Sequence, residues 1–326
     1  MDIDSILTNL ADLHTHLSTS TTPHLLWELA HSQGIRLPEK NYWKFIDLVR
    51  INGKSTVEEY HKFFDLTQLI QSSPYAVEQS TYNALGLSYR KSHISLQELR
   101  MNPLRRNKEG LYDVDRIIFS ALIGIKRAQI EYPIQGGMII ETDTRFTPRQ
   151  NEIIIDKAIR FAHEGVIGVD ISGPAQENFS FSSLSESFKE AKKQGLGITA
   201  HAGETTSAKE VWAAIEYLNP DRIGHGIKAA SDPELMKEIR DRDIILEICP
   251  TSNVIIQAVE SWEEFKEVIR KFIENKIKFT INADNPVLLQ TNVKKEFEIL
   301  LEKEILSIEE VKQIIELTRQ STFLKF

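Results

Sequence analysis

The chain has 326 residues, 41% hydrophobic and 26% charged, with a formal net charge of −8 at pH 7 and a sequence pI near 5.7. That apolar content suffices for a packed core and excludes a disordered chain, while the acidic balance argues against a nucleic-acid partner, which would need a basic face to displace counterions. No apolar run is long enough to span a bilayer, Met1 to Ser5 lack the basic start of a signal peptide, and the lone Cys249 excludes an internal disulfide or a multi-cysteine metal site; a cytoplasmic protein with a buried structural thiol and no membrane partner is expected.

In chain order, an apolar run at 10–16 predicts a first strand ending in His-Thr-His. Residues 20–90 form a long, mostly helical connection that would sit at the carboxyl end of a barrel and act as a lid. Within it, residues 56–65 predict a helix on which Val57, Tyr60 and Phe64 share one face by i, i+3 and i+7 spacing, a stripe that ordinary burial explains as well as substrate contact does. A second strand is expected at 94–100, and the basic cluster at 104–108 reads as a solvated loop. From 134 onward, strands at 137–144, 166–172, 197–201, 222–224, 244–248 and 278–283 alternate with helical patterns at 148–163, 182–193, 207–218, 233–240 and 262–275. Repeated βα units of this kind make a parallel sheet, and eight such strands fit a TIM-type (β/α)₈ barrel better than an open sheet. Patterns at 293–304 and 307–318 read as closing helices, and without a linker or repeat the chain is expected as a single domain over 1–326.

The chemistry collects at strand ends. His14 and His16 lie two apart on a strand, so both side chains point to one face and can reach one metal ion. Alone, such a pair is as readily two ordinary polar residues. It gains weight from His201 and Glu204 after the fifth strand, His225 after the sixth and Asp284 after the eighth, because these ends converge on the barrel axis. A mixed imidazole and carboxylate set suits Zn²⁺, whose catalytic sites keep a position for water and lower its pKa to about 7. Glu204, three residues past His201, is placed beside the ion as a proton shuttle.

Seven motifs then carry a resemblance: His14-Thr15-His16-Leu17, Glu98-Leu99-Arg100-Met101-Asn102-Pro103, Val169-Asp170-Ile171-Ser172-Gly173, His201-Ala202-Gly203-Glu204, Arg222-Ile223-Gly224-His225-Gly226, Cys249-Pro250-Thr251-Ser252-Asn253 and Asn282-Ala283-Asp284-Asn285-Pro286. In this order, and over nearly the whole chain, the sequence resembles the adenosine deaminase family of amidohydrolase-type barrels. The resemblance implies one zinc per chain held by His14, His16, His201 and Asp284. It implies Glu204 as the proton donor to purine N1, His225 as the group that orients the attacking water, and Gly173 as a backbone donor to purine N3. The reaction implied is hydrolytic deamination of an adenine nucleoside to a 6-oxopurine and ammonia, by a design distinct from that of the cysteine-ligated zinc deaminases.

Two positions depart from the family pattern. Much of the family reads HxHLDG, with an aspartate for the ribose 5′-hydroxyl, whereas Ser18 and Thr19 follow Leu17 here. Serine neither repels a 5′-phosphate nor fills the space of a larger substituent; Ser18 is the candidate contact to the sugar's 5′ end. The substrate is expected to be adenosine, 2′-deoxyadenosine or a 5′-modified relative, with adenine or (N6-methyl-)AMP as the alternative. Asn285 stands where many relatives carry a second aspartate, and its amide can donate to purine N7 in any protonation state. Two other readings compete. An amidase or lactonase of the same superfamily would usually bridge two metals with a lysine, and none is seen at a strand end; a member retained for binding alone would not need every matched catalytic position filled.

Overall fold

The strands are short apolar or β-branched runs, buried along almost their whole length as befits a sheet covered on both faces. In the computed structural model, which describes residues 6–107, 114–174, 176 and 178–325 (for Val57, Glu58 and His61 the backbone alone), they pair in parallel and in sequence order. They are β1 (Leu10–His16), β2 (Ile94–Met101), β3 (Gln135–Asp143), β4 (Val166–Ser172), β5 (Gly197–Ala202), β6 (Arg222–His225), β7 (Ile245–Ile248) and β8 (Phe279–Ile281). Thr15 bridges Asp284, with His16 N donating to Asp284 O and Asp284 N to His14 O, each at 2.9 Å, so the chain after β8 returns to β1. This is the expected α/β barrel of TIM type. All strand ends therefore open at one mouth.

Strand eight is shorter than its pattern predicts, although Asn282 just beyond it still donates its backbone N–H to Ile248 O at 2.9 Å while its Oδ1 accepts from Leu13 N at 3.0 Å. Four helices follow β1: α1 (Pro23–Ser32), α2 (Tyr42–Leu48), α3 (Val57–Ile70) and α4 (Pro74–Ser92). Thr56 and Glu59 form a reciprocal capping box that fixes where α3 begins. Between β2 and β3 the structure holds a helix the sequence reading did not place, α5 (Val114–Glu131), whose buried Ile117, Ile118, Ala121, Leu122, Ile125 and Ala128 recur at helical spacing. Then come α6 (Pro148–Arg160), α7 (Ser185–Lys193), α8 (Ala208–Leu218), α9 (Pro233–Asp241), α10 (Pro250–Ile255), α11 (Trp262–Glu274), α12 (Val293–Glu302) and α13 (Ile308–Gln320). No helix among the described residues is long and apolar enough to cross a membrane.

The basic cluster is a correction. Arg106 is fully buried, donating to Gln71 Oε1 at 2.6 Å and Ser18 Oγ at 2.9 Å, and Arg105 is mostly covered. The helices inserted after β1 fold over this turn, and a charge count along the chain cannot register that cover. Lys108 lies outside the described residues.

Below the mouth the barrel is filled by ion pairs as well as by aliphatic side chains. Arg100 Nη1 meets Asp170 Oδ2 at 2.8 Å and its Nη2 meets Glu247 Oε2 at 2.9 Å; Arg222 Nε meets Glu247 Oε1 at 2.6 Å and its Nη2 bonds Glu98. All are buried, and burying them is tolerable because each charge has a partner at hydrogen-bond distance.

Candidate active site

Three imidazoles point inward from β1 and β5, each steered by a carboxylate on its Nδ1: Glu247 Oε2 lies 2.6 Å from His14, Glu141 Oε1 3.0 Å from His16 and Asp170 Oδ2 3.0 Å from His201. Such a partner fixes ring orientation and leaves Nε2 free to ligate. The Nε2 atoms converge with Asp284 Oδ1, at 3.2 Å between His16 and His201, 3.3 Å from His16 to Asp284 and 3.7 Å from His14 to Asp284. His14 Nε2 and Asp284 Oδ1 are buried with no hydrogen-bond partner. Two buried acceptors without hydrogen-bond partners at one point suit a cation, and burial together with the Arg100 charge pushes His14 well below the usual histidine range, into the neutral form that ligates. The donor set fits a metal ion.

Asp284 is held from its other side, where Ser252 Oγ donates to Oδ2 at 2.6 Å and Tyr60 Oη at 3.3 Å. His225 Nδ1 accepts from Asn253 Nδ2 at 3.1 Å, which leaves the ring proton on Nε2, 3.2 Å from Glu204 Oε1. Both His225 (φ 60°) and Asp284 (φ 57°) are left-handed, a strained setting for residues with side chains that turns them into the mouth. Gly203 (φ 64°) makes the sharp turn after β5, where a Cβ would meet Val211 at 2.4 Å, and so delivers Glu204 to the cavity. Burial, and then the nearby Asp284 charge, push the Glu204 carboxyl up to about 8, so it holds a proton at neutral pH.

These groups open into a cavity of about 350 Å³ lined by His16, His201, Glu204, His225 and Asp284 at its inner end, and by Tyr60, Phe64, Gly173 and Asn285 around it. The stripe on α3 thus serves burial and the cavity wall at once; the side chain of Val57 lies outside the described residues. Ser18 does not line the cavity: its hydroxyl accepts from Arg106 and, at 3.4 Å, from Gln68, which does. Gly173 (φ 118°) stands on the wall where a Cβ would fall 2.6 Å from Thr144 Oγ1 and 3.0 Å from Asp143 Oδ1. Gly173→Ala is expected to cost about 1–3 kcal/mol of stability through that strain and to lower kcat/KM by about tenfold or more, the worth of 1.4 kcal/mol at the transition state; denaturant titration and steady-state kinetics check both.

The family model for adenosine deaminase matches residues 9–326. The chain belongs to the adenosine deaminase family. As a member of that family it is a hydrolase acting on a C–N bond, and its activity is deamination of an adenine compound. An adenosine deaminase from Clostridium kluyveri is 30% identical over 99% of this chain and 92% of the relative. Among solved structures, an amidohydrolase from Burkholderia ambifaria with bound Zn superposes with a TM-score of 0.87 at 20% identity, covering 98% of this chain and 87% of the other. An Arabidopsis N6-mAMP deaminase superposes at 0.84 and 21%, covering 99% and 96%.

Within this adenosine deaminase fold, sequence reasoning missed the carboxylates behind the imidazoles, Glu141 and Glu247, and gave Asp170 no role. Their signal was an acid inside an otherwise apolar strand, as in Leu246-Glu247-Ile248. It also missed the polar far wall of the cavity, Gln68, Asn102, Arg105, Asp143 and Arg145, which stands on the connections after β2 and β3 and on α3.

Proposed function

We propose that this protein hydrolyses the 6-amino group of an adenine nucleoside, releasing ammonia and a 6-oxopurine, with one Zn²⁺ held by His14, His16, His201 and Asp284. The observation that carries the reading is the meeting of the carboxylate-steered Nε2 atoms of His14 and His16 with Asp284 Oδ1, which has no hydrogen-bond partner, and of His16 Nε2 with His201 Nε2 at 3.2 Å, beside Glu204, whose carboxyl burial pushes up to about 8. The Burkholderia structure with bound Zn supports the choice of metal. A Zn²⁺ ion in this set supplies Lewis acidity, which makes water a competent nucleophile near pH 7.

The chain's own groups do the rest. Glu204 donates its proton to purine N1, which draws electron density from C6 as water oxygen bonds to that carbon. His225, fixed by Asn253, holds the attacking water through its Nε2. The Glu204 carboxylate then takes one proton from the added water, and the remaining hydroxyl proton passes to the 6-amino nitrogen, so that the C6–N bond breaks as C6=O forms and ammonia leaves with N1 still protonated. The Gly173 N–H binds purine N3 and the Asn285 amide purine N7, while Tyr60 and Phe64 cover the ring and exclude water. Ammonia release from a panel of adenine, adenosine, 2′-deoxyadenosine, 5′-methylthioadenosine, AMP and N6-methyl-AMP tests the reading: at least one nucleoside or nucleotide is expected to turn over. Silence across the whole panel, with metal bound, would leave a binding protein.

A further inference from the structure

The far wall of the cavity carries more positive charge than the described reaction uses. Arg105, after β2, and Arg145, after β3, both line it and share one buried carboxylate, Asp143: Arg105 Nε lies 2.6 Å from Oδ2, and Arg145 binds with Nε and Nη2 at 2.9 Å each. That pairing engages Nε of Arg105 and one face of Arg145, leaving Arg105 Nη2 and Arg145 Nη1 without a partner among the described residues. One layer behind stands Arg106, wholly buried and bonded, among the described residues, to the neutral Ser18 and Gln71, its Nε unsatisfied. Arg105 and Arg145 thus share one buried acid, Asp143, while the buried acid acting on Arg106 is Glu141, itself 3.0 Å from His16 Nδ1; Asp65, 3.5 Å from Arg105 Nη1, is 63% exposed at the rim, where water screens it. Burying a guanidinium is costly: burial pushes Arg106 down to about 10, against the opposing pull of the Glu141 charge.

In the proposed pose this charge lies on the sugar side of the purine. Purine N3 at Gly173 adjoins the ring carbon that bears N9, so the sugar leaves the ring beside Gly173. The nearest side-chain groups there are Thr144 and Asp143, the carboxylate clasped by the two arginines. The reacting C6 belongs at the inner end of the cavity, among His16, His201, Glu204, His225 and Asp284.

Resting on the deaminase reading, we propose that the substrate carries a compact oxyanion, a phosphate or a carboxylate, on the 5′ side of its sugar, and that Arg105 and Arg145 bind it. Guanidinium offers paired N–H donors that match either oxyanion. Arg106 acts through Ser18 and Gln68 as a positioning residue, and the aspartate that would repel such a group at position 18 is absent.

The test compares kcat/KM for adenosine, AMP, adenosine 5′-carboxylate and its neutral 5′-carboxamide, at low and high salt. An excess of at least about tenfold for one anion over both neutral compounds is expected, shrinking with salt; AMP leading assigns a phosphate and the 5′-carboxylate leading a carboxylate. In Arg105→Gln and the partly exposed Arg145→Gln the excess should fall by about tenfold, mainly as a rise in KM. Neutral compounds turned over as well as both anions would overturn this proposal and leave the deaminase reading standing. If no adenine compound is deaminated, that reading fails instead, and calorimetric binding of IMP against inosine decides the oxyanion site, equal affinity overturning it.

Discussion

Glu204→Gln is expected to keep the metal and lose about 10² to 10⁴ in kcat, the usual worth of a positioned general acid. The substitution is nearly isosteric, and the carboxyl it replaces is already protonated near neutral pH by burial, so the fold exchanges one neutral group for another. What disappears is the mobile proton for purine N1. Because the loss falls on the chemical step, kcat and kcat/KM should drop together while ground-state binding of a product analogue changes little. Metal analysis beside the kinetics decides the assignment: if the ion leaves with the carboxylate, Glu204 is a ligand, and the proton must come from elsewhere.

His201→Ala should remove most of the bound zinc, from about one ion per chain in the parent, and the activity with it. Losing an outer partner of a ligand typically costs 10–100-fold in metal affinity, and losing an imidazole outright should exceed that. The fold should survive, since Asp170, which loses the ring, keeps Arg100 at 2.8 Å. A preserved melting transition in metal-free buffer beside a lost metal content separates ligation from unfolding. Two ions per chain in the parent, or an unchanged content in the variant, would refute the mononuclear site.

The architecture and the inner half of the site were legible because both write themselves as local pattern. A buried parallel strand is an apolar run, and its last inward residue is a functional position by topology, so His14, His16, His201, His225 and Asp284 could be read one strand at a time. The groups that act on these from elsewhere in the chain were illegible for the converse reason. Glu141 and Glu247 act on histidines 125 and 233 residues away in sequence, a pairing set by barrel register. Arg106 read as solvated since nothing in its neighbours announces that Gln71 and Ser18 will close over it. The reading of Ser18 as a direct contact shows the same limit: position in a motif indicated which end of the cavity it belongs to, while the depth at which it lies depends on Gln68, fifty residues later.

The ion pairs beneath the mouth carry a thermodynamic consequence. Glu98, Glu141, Asp170, Glu247 and Asp284 are five buried carboxylates, set against the two guanidiniums of Arg100 and Arg222. A divalent cation among the imidazoles lowers that excess of negative charge where the dielectric screens it least. The ion is then a constituent of the folded state as well as a reagent. By mass action a ligand specific to the native form adds about 2.7 kcal/mol at one hundred times its dissociation constant, so the same carboxylates that aim the histidines tie the stability of the barrel to the free metal concentration around it.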